Sequence, residues 1–130
     1  MQVTRFGEAQ PYEAPNHRDM RALRLQGFMA GGPENFWVGL SHFLPGGGAG
    51  PDSSPLEKVY VVLDGAVTIK TPAAEVVLGP LDSCCIPGDE VREVKNHGNE
   101  VATMLVVMPY PPTAPTPKAS SAGRSEEHSE

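Results

Sequence analysis

The sequence predicts an all-β domain, a jelly-roll barrel of two packed sheets. Three observations lead there. Short runs of β-branched and aromatic residues recur along the chain, each closed by Gly, Pro, Asn or Asp. Glycine and proline number 14 each among 130 residues, a content that favours turns and short strands over helices. No stretch reads convincingly as a helix, and the runs give eight to ten strands.

A chain of this length forms one domain, with a core large enough to fold without staples. Its net charge of −6 argues against nucleic acid and against an anionic membrane surface as partners. No apolar run reaches the roughly 18 residues of a membrane span. The first residues, Met-Gln-Val-Thr-Arg-Phe-Gly-Glu, carry no apolar signal segment, so the expected location is cytoplasmic. Cys84 and Cys85 are adjacent. On a strand they point to opposite faces and rarely bridge each other, so two reduced thiols are expected, one facing the barrel and one outward.

Taken in order, residues 1–20 mix polar side chains with Pro11 and Pro15 and read as an N-terminal arm with room for one short edge strand. The barrel is expected over residues 21–112. Arg18 to Gln26 reads as a short strand with broken alternation, Met20 and Ala22 on one face, Leu23 and Leu25 on the other. Gly27 to Asn35 is a loop. Phe36 to Leu44 is a clear strand that Pro45-Gly46 is expected to end, with Trp37, Gly39, Ser41 and Phe43 on one face and His42 on the other. Gly46 to Pro55 is too rich in Gly, Pro and Ser for strand interior and reads as a flexible mouth loop. Val59 to Leu63 is a buried strand, Asp64-Gly65 a hairpin turn, and Ala66 to Thr71 the returning strand. Glu75 to Leu78 and Ser83 to Ile86 are short strands, and Val91 to Lys95 a weaker one. Val101 to Met108 is long, apolar and central. Five prolines from Pro109 to Pro117, then Ser, Ala, Gly and charged residues, mark residues 113–130 as a disordered tail.

The mouth loop and the hairpin after it resemble the first motif of the cupin superfamily: Gly, five residues, His-x-His, three or four residues, Glu, six residues, Gly. Every spacing is met from Gly46 to Gly65. The second cupin motif is Gly, five residues, Pro-x-Gly, two residues, His, three residues, Asn. It matches at Pro87 and Asn96, with the frequent acidic residue at Asp82. The resemblance covers a little over a third of the chain and implies the double-stranded β-helix of that family. Many single-domain members pair through their sheet edges, which implies a homodimer.

The departures bear on chemistry. In metal-binding members three His and one Glu hold a transition metal. Here the two His positions of the first motif are Asp52 and Ser54, the Glu position is Lys58 and the second-motif His position is Arg92; its Gly positions are Leu81 and Asp89. Lysine and arginine are not plausible metal ligands at neutral pH. The expectation is therefore no metal and no other cofactor. His17, His97 and His128 are scattered and do not form a metal set.

Strand alternation sends Lys58, Tyr60 and Val62 the same way, and the resemblance implies that this way is inward, with Arg92 facing them and Asp52 and Ser54 at the mouth. Glu57 would enter only if the register slipped by one residue. One reading is an ion cluster of Asp52, Lys58 and Arg92 filling the place of the metal. The other is a pocket for an anionic, carboxylate-bearing metabolite, with Arg92 as a bidentate clamp and Asp52 and Ser54 assisting binding. In that pocket Lys58, Tyr60 and His42 are the candidate catalytic groups, Lys58 because a desolvated lysine beside a second cation has a lowered pKa, His42 because its ordinary pKa lies nearest neutrality. Lyase or isomerase chemistry fits such a site: proton transfer, dehydration or decarboxylation. The alternatives are a non-catalytic ligand-binding barrel, and a metal enzyme with atypical ligands such as Asp52 and His42.

Overall fold

The computed structural model describes residues 1–112; the segment expected to be a disordered tail, residues 113–130, lies outside them. Among the described residues are nine strands and two single-turn 3-10 helices, Phe6–Glu8 and Phe28–Ala30. The strands are β1 (Gln10–Tyr12), β2 (His17–Gln26), β3 (Phe36–Asp52), β4 (Lys58–Asp64), β5 (Val67–Lys70), β6 (Glu75–Leu78), β7 (Ser83–Ile86), β8 (Arg92–Lys95) and β9 (Ala102–Pro109). All pair antiparallel, in the order β6-β5-β8-β3-β9-β4-β7, with β2 also on β3 and β1 on β2. No helix among the described residues is long and apolar enough to cross a membrane.

One element differs from expectation in a way that shapes the molecule. The glycine-rich mouth loop is not a loop: β3 does not stop at Pro45-Gly46 but runs on to Asp52. Its first half pairs with β9 over Phe36 to Phe43, and its second half pairs with β8 from Gly48 to Asp52. A single strand thus serves both sheets, and the bend between them falls at Gly46, whose φ is +84°. Gly46 is favoured by its dihedral, and the two glycines after it are required by crowding. A Cβ on Gly47 would strike the Asp19 carbonyl, and one on Gly48 the Val94 carbonyl. The sequence signal of a flexible segment was in fact that of a strand passing too close to its neighbours for side chains.

Asn96 locks this bend. It is buried, and its Nδ2 donates to the carbonyls of Phe43 (3.0 Å) and Glu100 (2.8 Å), while its Oδ1 accepts from Gly98 N–H (2.9 Å). Its backbone exchanges bonds with Gly46 and Gly47. The second-motif asparagine is therefore a staple between β3 and the turn after β8. Leu81 and Asp89, which stand at that motif's glycine positions, have φ of +70° and +67°. The left-handed backbone is kept although neither residue is glycine; aspartate tolerates it better than leucine.

The core lies between the sheets. Tyr12, Ala22, Trp37, Phe43, Tyr60, Val62, Val67, Ile69, Val94, Met104, Val106 and Met108 form one buried cluster. Pairing aligns them in rows across one sheet: Arg24, Gly39, Val106, Tyr60, Cys84 in one row and Tyr12, Ala22, Ser41, Met104, Val62 in the next. The residues expected to be an arm enter the sheet, because β1 pairs with β2 and β2 begins at His17. Both thiols are free, Cys84 half-buried on the Tyr60 row and Cys85 exposed.

Candidate functional site

Alternation along β4 buries Lys58, Tyr60 and Val62 while Glu57, Val59 and Leu63 are exposed. The register is therefore the one the motif spacing requires. From the other sheet, β8 sends Arg92 and Val94 inward. Lys58 and Arg92 are 1% and 2% exposed, two of the three buried cations among the described residues, the third being Arg24 stacked on the Tyr12, Phe28 and Trp37 rings. Arg92 Nε donates to the Tyr60 hydroxyl at 2.7 Å. Its Nη1 lies over the Gly50 backbone, where a Cβ would approach to 2.7 Å.

This packing sets the protonation of the group. Burial first and the Arg92 charge second lower the Lys58 pKa, Asp52 opposes both, and the net value is about 8. At pH 7 about one Lys58 in ten is then the neutral amine, so the side chain can both give and take a proton. Burial raises the Tyr60 pKa, against the Arg92 charge and hydrogen bond.

Asp52 is the backbone partner of Arg92 across β3 and β8. Its side chain is exposed at the rim and accepts from Ser53 N–H at 2.9 Å. It acts on Lys58 through its field. Ser54 is buried, but its hydroxyl is engaged by Leu56, accepting from the backbone N–H and directed at the carbonyl, both at 3.2 Å. Lys58, Tyr60 and Arg92 come together, with Asp52 at the edge and Ser54 in the adjoining loop. His42 does not join them. It follows Ser41 on β3, opposite Arg21 and Thr103, and so points out of the barrel, its ring 6.1 Å from that of Phe6.

The histidine that does belong to the mouth is His17. It pairs with Ala49, which pairs in turn with Val94, and both neighbours face inward. Its Nδ1 lies 2.8 Å from the Pro15 carbonyl. A carbonyl only accepts, so the proton sits on Nδ1 and Nε2 carries the lone pair in the neutral ring. Burial lowers its pKa, the Pro15 bond opposes this, and the charges of Arg92, Asp52 and Arg18 act in smaller measure. Nothing local in the sequence signals His17, because it reaches the site only through the pairing of β2 with β3, about thirty residues away.

Among the described residues no group of three or more His, Cys, Asp or Glu is placed to hold a metal ion. With Lys58 and Arg92 at two of the four ligand positions, the residues present do not fit the transition metal that the two motifs usually carry.

Residues 39–108 match the family model described as Cupin domain. The chain belongs to this family. A Mycobacterium tuberculosis protein named a beta-D-galactosidase is 44% identical over 111 residues, covering 85% of this chain and 96% of that protein. Solved structures with the same fold include a polyketide cyclase from Streptomyces resistomycificus (TM-score 0.74, 19% identity, 84% of this chain and 79% of that one). Another is a cupin-superfamily sugar phosphate isomerase from Silicibacter pomeroyi (TM-score 0.71, 22% identity, 83% and 75%). A third is a predicted oxalate decarboxylase from Thermotoga maritima (TM-score 0.69, 21% identity, 84% and 98%). At these identities the three structures establish the cupin barrel and nothing finer.

Proposed function

We propose that this cupin binds a small carboxylate-bearing metabolite in the barrel mouth and acts on it by metal-independent proton transfer, as a lyase or isomerase. The observation that carries this reading is the buried cation pair, Lys58 with a pKa near 8 beside Arg92 held by Tyr60. Two neighbouring desolvated cations favour an anion, and the Arg92 fork matches a carboxylate. Lys58 then exchanges the proton. Binding of a carboxylate panel to the parent and to Lys58→Met tests the reading. A fall in affinity of roughly tenfold to a thousandfold is expected, the scale of one or two charge-assisted hydrogen bonds. Equal binding by both proteins would overturn it. Stoichiometric transition metal in the purified protein would overturn its metal-independence, and a ligand returned unchanged would make the barrel a binder.

A second reading is favoured by the relative at 44% identity: hydrolysis of a β-D-galactoside. Glycosidic cleavage needs an acid and a base or nucleophile flanking the bond, commonly two carboxylates. In this barrel Asp52 and Lys58 would fill those roles. Release of p-nitrophenol from its β-D-galactoside, abolished by Asp52→Asn, is the result this reading requires.

A further inference from the structure

The two sheets of the barrel differ on their outer faces. On β5, β6 and β8 the outward side chains include Thr68, Lys70, Glu75, Glu93 and Lys95, a polar face of the kind that water covers. On the other sheet the outward rows are apolar. Val59, Val107 and Val38 stand side by side on β4, β9 and β3, and Val61, Leu105 and Leu40 form the next row. Cys85 and Ser83 continue these rows onto β7, and Gln26 and Leu23 onto β2, so neither row carries a charge. Val59 is 37% exposed, and Val61, Leu105, Val107 and Val38 are half-buried. β9 is thus apolar on both faces, the pattern of a strand covered on both sides.

The cover that the chain itself supplies stops short. Gln26 Nε2 donates to the Thr4 hydroxyl at 3.5 Å, and the Phe6 ring lies 6.1 Å from that of His42. Between these two contacts Leu23 and Leu40 are buried. The N-terminal segment therefore lies over the β2 side of the face and leaves the β9–β4 side open, with Val3 and Phe6 themselves exposed beside it. Residues 113–130 contain no Val, Ile, Leu, Met, Phe, Trp or Tyr, so they bring no large apolar side chain to cover the rest.

From this we infer that the β9–β4 face is the interface of a homodimer, in which a second copy of this chain packs the same face across a two-fold axis. The contact is sheet face to sheet face, unlike pairing through sheet edges. Charge favours a second copy: each chain carries −6, and these rows are where two such chains can meet without bringing like charges together. Area favours it too. The six strands from β7 to β1 set side by side span about 24 Å, and Phe36 to His42 about 23 Å. Two copies would then bury roughly 1,000 Å², the size at which a specific interface begins, and Val3 and Phe6 add to it. The interface lies on the back of β4, whose alternate residues Lys58 and Tyr60 face the barrel, and it is independent of the ligand the barrel takes.

The experiment is sedimentation equilibrium of the full chain over a dilution series. The parent should sediment at twice the chain mass and dissociate on dilution. Val61→Thr with Val107→Thr keeps shape and β-branching and makes the face polar, as Thr103 already does on β9. This variant should weaken dimerisation at least tenfold with an unchanged far-ultraviolet spectrum. Val61→Lys with Val107→Lys should be monomeric throughout the series. Thr68→Lys, on the outer face of the other sheet, should dimerise like the parent. A monomeric parent overturns the inference. So does a dimer that both paired variants leave intact, which would put the contact at a sheet edge, and so does a dimer that Thr68→Lys weakens equally. Should the lysine variant fail to fold, the threonine variant decides alone.

Discussion

Arg92 on β8 donates to the hydroxyl of Tyr60 on β4 at 2.7 Å, joining two strands that share no backbone hydrogen bond, one in each sheet. The bond fixes the guanidinium beside Lys58, so the electrostatics of the site depend on a phenol one strand-pleat away.

Tyr60→Phe keeps the ring and removes that acceptor from a buried charged donor. A loss of about 1–3 kcal/mol in unfolding free energy is expected, several degrees in melting temperature for a domain of this size. An unchanged melting temperature would mean that the guanidinium is held without the phenol.

Lys58 has a folded-state pKa of about 8 against 10.5 for the free side chain. The unfolded chain therefore binds more protons between those values, and stability from this group rises with pH across that window. Below pH 8 the cost of the buried cation is fully present. Lys58→Met is expected to be more stable than the parent at pH 7, on the order of 1–3 kcal/mol, with the gap closing from pH 8 to 10.5. Denaturant unfolding of both proteins at pH 7 and pH 10 reads this directly, and a variant less stable at pH 7 would contradict it.

For His17 the folded-state pKa is lowered from 6.5. The unfolded state takes the proton first as pH falls, so the stability this residue contributes is complete above 6.5 and declines below it. Nitrogen chemical shifts of the imidazole should report the Nδ1–H tautomer and a midpoint below 6.5. The Nε2–H tautomer would place the ring away from Pro15.

Leu81 is exposed and held at φ +70°. A left-handed backbone costs a Cβ-bearing residue about 1–2 kcal/mol, part of which glycine returns as unfolded-state entropy. Leu81→Gly is expected to stabilise by up to about 1 kcal/mol and Leu81→Ala not at all. A loss with glycine would mean that the leucine side chain contributes contacts of its own.

Period-two patterning and turn chemistry made most of the barrel legible. The strands from Phe36, Lys58, Glu75, Ser83 and Ala102 stand where β-branched and aromatic runs put them, and the inward phase of Lys58 and Tyr60 followed from motif spacing. Two things were hidden, both for reasons of distance. Glycines such as Gly47 and Gly48 look alike whether they serve flexibility or the close passage of neighbouring backbones, and only the Asp19 and Val94 carbonyls decide between them. His17 and His42 differ in what their strands pair with. His42 sat in the more convincing strand and faces outward, whereas His17 sat in an apparent arm and faces the mouth.

The continuity of β3 has a consequence for how the molecule comes apart. A barrel whose sheets meet only through side chains can open one sheet at a time, giving separable units of hydrogen exchange. Here the backbone from Phe36 to Asp52 carries ladder bonds to β2, β9 and β8, so neither sheet can be released without breaking a strand of the other. Amides of β8 and β9 should then exchange through a single concerted opening with one shared free energy, and this cupin should behave as one cooperative unit.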